Sequence, residues 1–453
     1  MQNDTRATFS GKLGFVLAAA ASAVGLGNIW RFPYLAAEYG GGIFLLIYLI
    51  LAVTFGFAVM ITEIAIGRKT GLSAVGAFKK LDRRFGFCGI LAFLIPVIIT
   101  PYYSVIGGWV TKYAVVFIGG QDTAAAQDGY FGAFIGETVQ PILWLLVFVV
   151  LTCIVVAAGV KKGIEKVSEI MMPILIGLCV IVGIYGLTMP GAMDGLIYYL
   201  KPDFSKLSGK TVLAALGQLF YSMSLAMGIM ITYGSYMEKK TNLESSVRWI
   251  EFFDTLVAFL AGMMIIPSVF AFAGGDESAM SAGPGLMFIT LPKVFATMPS
   301  GRVIGSIFFV LVFFAAITSA ISLTETIVSI IMDKMGWERK QTVLITGLYL
   351  FLMGIPSSLG FGIWSSAAPL GMDLLSFFDF LSNTILMPIL AFATCIFAGY
   401  VLKPKSIIEE VEANGAVFKV KRFYSFVIRY IVPVGIVAIL ISSLLASLGV
   451  FSW

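Results

Sequence analysis

The chain has 453 residues, of which 59% are hydrophobic and only 12% charged. A water-soluble globule carries about a quarter of its residues as ionisable groups, so this composition excludes one and leaves a polytopic membrane protein as the matching class. The net charge of +5, from 30 basic and 25 acidic residues, is too balanced and scattered for a nucleic-acid footprint.

In chain order, apolar runs long enough to cross a bilayer predict eleven spans, at 13–36, 42–67, 88–118, 141–160, 165–189, 211–236, 246–273, 303–332, 341–356, 375–402 and 424–450. The ninth is the shortest. The apolar stretch after Lys12 is too long for a signal-peptide core and reads as the first crossing. Lys and Arg fall 22 on one side and 5 on the other, with Arg31, Lys112 and Arg429 in or at the edges of spans. The positive-inside rule then places the N-terminus in the cytoplasm and Trp453 outside. A multi-pass protein of the cell (inner) membrane, solvated by the lipid bilayer, is the expectation.

With no histidine in the chain, imidazole metal sites and Ser-His-Asp triads are excluded. The four cysteines, Cys88, Cys153, Cys179 and Cys395, form no ligand-spaced pair and read as small core residues.

Two spans carry polar interruptions at membrane depth. Span 1 holds SAVGLGNIWRFPY (Ser22 to Tyr34), with Gly25, Gly27 and Asn28 near its middle and Arg31 and Pro33 beyond. Span 6 holds QLFYSMSLAMG (Gln218 to Gly228). Unwound backbone survives in a bilayer only where it lines a buried cavity. Paired breaks five spans apart point to a transporter built from inverted repeats. Residues 1–190 would hold the N-terminal region and first repeat, 191–402 the second, and 403–453 a cytoplasmic linker with span 11. The alternative is that these small residues serve close helix packing. Half-helix N-termini suit a carboxylate, and freed carbonyls suit a hard cation.

AVGLGNIWRFPY followed by GGGIF (Gly40 to Phe44), YYSVIGGW in span 3 and FFAAITSAIS in span 8 make the chain resemble the bacterial amino-acid transporters of the neurotransmitter:sodium symporter family over nearly its whole length. The resemblance implies an all-α leucine-transporter-type 5+5 inverted repeat with discontinuous helices 1 and 6 and eleven transmembrane spans, in place of the family's usual twelve. It also implies a transporter and not an enzyme.

By position, the resemblance implies two Na⁺ sites. The first would use Ala23, Asn28, Ser222 and Asp254 with the substrate carboxylate; the second would use Ala21, Val24, Ala315, Thr318 and Ser319. Both are all-oxygen sets, which suit an alkali cation, although Thr318 and Ser319 could bond back to their own helix instead. Asp254 stands where chloride-coupled relatives have an amide, and Ala258 stands one turn later where a carboxylate occurs in the type case. A fixed charge inside the sodium site implies chloride-independent transport.

Gly25, where monoamine carriers place an aspartate, implies a substrate that brings its own carboxylate. Tyr103 and the amides near Leu26 and Gly27 would meet that carboxylate, with Ala23 and Ser222 nearby. Ile99, Tyr221, Ser224, Met227, Ser319, Ala320 and Leu323 would line the side-chain pocket, and the flexible Met227 with the small Ala320 suggests hydrophobic or aromatic L-amino acids.

The resemblance further implies an outer gate of Arg31 and Asp379, with Gln218 as an alternative partner, and an inner gate of Arg6 and Asp333 assisted by Tyr236. Gly163 and Pro173 have the spacing at which relatives unwind span 5; a simple proline kink is the alternative. The resulting expectation is sodium-coupled import by alternating access. Alternatives are a proton-coupled or exchange carrier of the same fold, and an ion channel.

Overall fold

The computed structural model describes residues 7–274 and 285–447, and among them there is no β-strand, only an isolated bridge between Gly41 and Pro202. Nine described helices are long and apolar enough to cross a membrane: Gly42–Thr70, Arg83–Ile118, Gln140–Ala157, Val160–Gly186, Leu243–Phe272, Gly301–Met335, Arg339–Leu359, Leu374–Val401 and Lys421–Leu445. Lys12–Ala23 and Gly27–Glu38, bent by 54° at their junction, make a tenth crossing. Gly209–Ser222 and Ile229–Ser235, separated by six residues, occupy the position of predicted span 6.

The ninth span, the shortest in the sequence reading, is a helix of 21 residues. The boundary between spans 4 and 5 shifts from its predicted place. Gly159 adopts φ 93, a backbone state open to glycine at little cost, so the chain turns at once and Val160–Glu165 becomes a π-helical first turn of span 5. From Lys166 that helix runs unbroken through Pro173 to Gly186. The Gly163 to Pro173 interval is therefore helical here, and no unwinding is present.

The broken span 1 is buried throughout residues 14–30. Of the nine unbroken crossings span 8 is the most buried and span 11 the least, with spans 4 and 5 next to it. Apolar side chains such as Ile154, Ile184 and Val434 project outward from these peripheral helices, as lipid contact requires. Span 1 packs on spans 5, 7 and 8, and the second half of span 6 packs on span 2. The latter contact is very close. A Cβ on Gly67 would meet the Ile231 carbonyl, and one on Gly234 would meet the Ile64 carbonyl, the small-residue packing by which membrane helices approach. Short helices missed by the span reading, including Ala74–Leu81, Ala192–Leu200 and Lys403–Val411, lie between crossings.

Candidate functional site

Span 1 stops at Ala23 because Val24 turns extended (ψ 100). Gly25 then donates its N–H to Asn28 Oδ1 at 3.0 Å, so a side chain replaces the lost helical partner. The freed Ser22 carbonyl is taken up by other spans: Ser224 Oγ donates to it at 3.0 Å and Ser319 Oγ at 3.1 Å. Gln218 Nε2 donates at 2.9 Å to Gly27 O, which also accepts the Phe32 N–H within the π-helical turn. Ser319 Oγ also lies 3.5 Å from the Val24 carbonyl.

In span 6, the segment Met223–Gly228 leaves the helix, with Ser224 at φ 52 and Ala226 at φ 56. Non-glycine residues held there cost about 1–3 kcal/mol each and persist only where their surroundings impose them. One imposing contact is the buried Glu63 of span 2, whose Oε1 accepts the Ala226 N–H at 2.9 Å. Both sequence-predicted interruptions are thus real, and they face each other.

Behind the breaks, Asp254 of span 7 is fully buried. Its Oδ1 accepts from Asn28 Nδ2 at 2.7 Å and from Ser222 Oγ at 3.0 Å, and its Oδ2 lies 3.1 Å from the Tyr48 hydroxyl. All three partners are neutral. Among the described residues no Lys or Arg forms an ion pair with Asp254, and no cluster of three acidic, Cys or His ligands exists. A carboxylate buried without a cationic partner is costly, and an alkali cation held by Asp254 and the neighbouring oxygens would offset that cost.

Between the breaks lies a small cavity, about 380 Å³ with its open mouth included. It is lined by Ala23, Gly25, Leu26, Gly27, Ile99, Tyr103, Tyr221, Ser222, Ser224, Met227, Ser319 and Leu323, together with Ser22 and Ile229. Those last two were missed in the sequence reading. Ala320, expected at the wall, is buried in span 8 but does not reach the cavity, because its neighbour Ser319 occupies the face turned to span 1. The buried Tyr103 hydroxyl makes no hydrogen bond of ordinary geometry. A Cβ on Gly25 would fall 2.6 Å from Ser319 Oγ and 3.4 Å from Tyr103 Oη, so glycine is what keeps this part of the cavity open.

Within the second expected sodium set the two hydroxyls are bonded differently. Thr318 Oγ1 donates to its own helix, to Phe314 O at 2.9 Å and Ala315 O at 3.2 Å, whereas Ser319 reaches across to span 1. Ala21 and Val24 are buried at the end of the first half of span 1.

Tyr221 forms a common wall between this cavity and a second one that also touches Arg31, Asp379 and Asn383. The Arg31 guanidinium sits over the Tyr221 ring, 5.0 Å from its centroid. Arg31 and Asp379 share the cavity without an ion pair within 4 Å: Asp379 Oδ1 is held by Asn383 Nδ2 at 2.6 Å and by the Tyr102 hydroxyl at 3.1 Å. Gln218, expected as an alternative partner for Arg31, donates its amide N–H to the Gly27 carbonyl, while its amide oxygen, the atom that could accept from Arg31, has no hydrogen-bond partner among the described residues.

At the other end, Arg6 lies outside the described residues, and Asp333 accepts the Ser73 N–H at 2.8 Å. The Tyr236 hydroxyl, assigned in sequence to the Arg6–Asp333 pair, donates to the fully buried Glu325 at 2.7 Å. Glu325 also pairs with Arg339 at the start of span 9. This pair was missed, although a lone acidic residue inside the apolar run of span 8 is itself a signal. Phe9 packs among Phe15, Tyr233 and Tyr236, and Ser10 binds the Glu165 carboxylate at 3.0 Å through its N–H. The N-terminal segment thereby covers the adjoining ends of spans 1, 5 and 6.

A model of the Sodium:neurotransmitter symporter family matches residues 6–121 and 134–450. The chain is 36% identical over 444 residues to the uncharacterized sodium-dependent transporter YhdH of Bacillus subtilis, covering 96% of this chain and 97% of that one. An uncharacterized sodium-dependent transporter of Haemophilus influenzae is 35% identical over 98% of this chain and 99% of its own length. Among solved structures, MhsT in complex with L-phenylalanine superposes with a TM-score of 0.87 at 37% identity, covering 97% of this chain and all of that one.

Proposed function

Because the chain belongs to the sodium:neurotransmitter symporter family, we propose that it imports hydrophobic or aromatic L-amino acids by sodium-coupled, chloride-independent symport. The observation that carries this reading is Asp254, a fully buried carboxylate with three neutral hydrogen-bond donors and no cationic partner among the described residues, beside two facing helix breaks. A sodium ion there would be held by Asp254, Asn28, Ser222 and the Ala23 carbonyl. Its charge is then balanced by protein, and chloride has no role to play.

The substrate carboxylate would enter against the Gly25–Gly27 backbone and the Tyr103 hydroxyl. Its side chain would lie toward Ile99, Met227 and Leu323. The L-phenylalanine named with MhsT supports that substrate class. A second sodium would use Ala21, Val24, Ala315, Thr318 and Ser319, with Thr318 released from its own helix carbonyls. Residues 1–190 and 191–402 would form the two repeats, with the N-terminus in the cytoplasm of a cell whose inner membrane the protein spans.

In the cycle, sodium from outside fixes the breaks, and the amino acid completes the first site. Tyr221 with Arg31 above it closes the outer route, and loss of sodium inward loosens the Phe9 and Tyr236 contacts. Affinities of ion and substrate are then reciprocal. The test is equilibrium binding of L-phenylalanine to purified protein. Affinity should rise with sodium and be unchanged when gluconate replaces chloride; binding indifferent to sodium would refute the proposal.

A further inference from the structure

A second feature lies away from the transport site, at the end of span 3 that the positive-inside count puts outside. Lys112 sits six residues before the end of Gly86–Ile118, about 9 Å along the helix at 1.5 Å per residue. Lysine at such depth calls for a partner. It is 8% exposed, and its ammonium lies 3.5 Å from the Phe134 ring centroid and 4.9 Å from that of Tyr130. Among the described residues it makes no ion pair or hydrogen bond. Ring faces attract the charge but leave its three N–H donors without strong acceptors.

Lys112 and both rings line an open cleft, about 1040 Å³ with the solvent space at its mouth included, together with Glu137, Val115 and Trp144. The cleft runs between the outer ends of spans 3 and 4. Its flank is apolar and open: Val115 is 51% exposed and Leu143 54%. In a chain that crosses the membrane, such residues meet lipid. A buried cation, an exposed carboxylate at the rim and an adjoining apolar track match the phosphate, ammonium and acyl chain of one molecule.

We propose that this cleft binds a phospholipid of the outer leaflet through its headgroup, with the phosphate on Lys112, a primary ammonium of the ethanolamine type at Glu137, and an acyl chain along Val115 and Leu143. A charge-assisted hydrogen bond to phosphate would satisfy the ammonium, and Glu137 would select an amine-bearing head by charge complementarity. Inorganic phosphate could make the first contact but neither of the others.

The test uses the full chain, delipidated in detergent and mixed with phosphatidylethanolamine, phosphatidylglycerol or inorganic phosphate, with bound species counted by native mass spectrometry. Wild type and Lys112→Arg should retain phosphatidylethanolamine, and Lys112→Met should bind it roughly tenfold more weakly. Glu137→Gln should keep lipid but lose the preference for phosphatidylethanolamine over phosphatidylglycerol. Melting temperatures in the same detergent identify folded variants; if Lys112→Met fails to fold, the Glu137→Gln preference decides. Equal phosphatidylethanolamine binding by folded Lys112→Met and wild type, or a headgroup preference untouched in Glu137→Gln, would overturn the proposal. So would inorganic phosphate displacing the lipid.

Discussion

The side-chain amide of Asn28, in the break of span 1, donates a 2.7 Å hydrogen bond to Asp254 on span 7, 226 residues away. The other end of the same amide accepts the Gly25 N–H at 3.0 Å. One side chain therefore joins the buried carboxylate to the backbone that borders the cavity. A cation drawn to Asp254 and a ligand lying on Gly25 would both act through this one side chain, a physical route for the coupling proposed above.

Asp254→Asn removes the buried charge and leaves the hydrogen-bonding shape almost intact. Sodium affinity should fall roughly tenfold or more, and chloride should partly restore it. Sodium titrations of substrate binding in chloride and in gluconate measure both effects. Wild type should be the same in either anion.

Gly25→Ala places a methyl group 2.6 Å from Ser319 Oγ and 3.4 Å from Tyr103 Oη. The expected result is a loss of roughly tenfold or more in amino-acid affinity, since displacing packed groups by one methylene costs about 1–3 kcal/mol. Sodium binding without substrate should change much less. Parallel calorimetric titrations separate the two.

Tyr221 is the wall between the inner and outer cavities, with Arg31 above its ring. Tyr221→Ala should join the cavities and speed release of bound amino acid. Tyr221→Phe keeps the ring and should stay near wild type. Cation–π contacts of this kind contribute about 0.5–2 kcal/mol, so the dissociation rate of radiolabelled ligand should rise several-fold in the alanine variant.

Two ion pairs should differ in their effect on stability. Arg68 is fully buried, with Nε 2.8 Å from Glu410 Oε1 and an N–H donated to the Thr241 carbonyl at 2.8 Å. Arg68→Met leaves the buried Glu410 with Lys239 as its remaining cationic partner and should destabilise by about 3 kcal/mol, the low end for a broken buried pair. The half-exposed Arg248–Glu244 pair at 2.8 Å should lose under about 1 kcal/mol in Arg248→Met. Thermal melts in detergent compare them directly.

The crossings and both breaks were legible in sequence because bilayer hydrocarbon leaves a one-dimensional trace: long apolar runs, and polar or glycine-rich gaps where backbone is unwound. Motifs carried most of the cavity wall in the same way. Side-chain direction was less legible. Ala320 and Ser319 are adjacent on one helix, yet Ser319 alone faces the cavity, a matter of rotation set by span 1. Gln218 was paired with Arg31, but its amide N–H goes to the Gly27 carbonyl. Glu325, which accepts from the Tyr236 hydroxyl, was not foreseen, because its pairing with Arg339 joins two spans. The roof that Tyr48 makes over Asp254 was also invisible, since a tyrosine inside LLIYLIL carries no spacing signal.

Uptake of labelled L-phenylalanine into proteoliposomes under an inward sodium gradient tests the account most directly. The prediction is accumulation above the external concentration, abolished when potassium replaces sodium outside and undiminished when gluconate replaces chloride. Equal accumulation without sodium, or accumulation driven by a proton gradient alone, would contradict it.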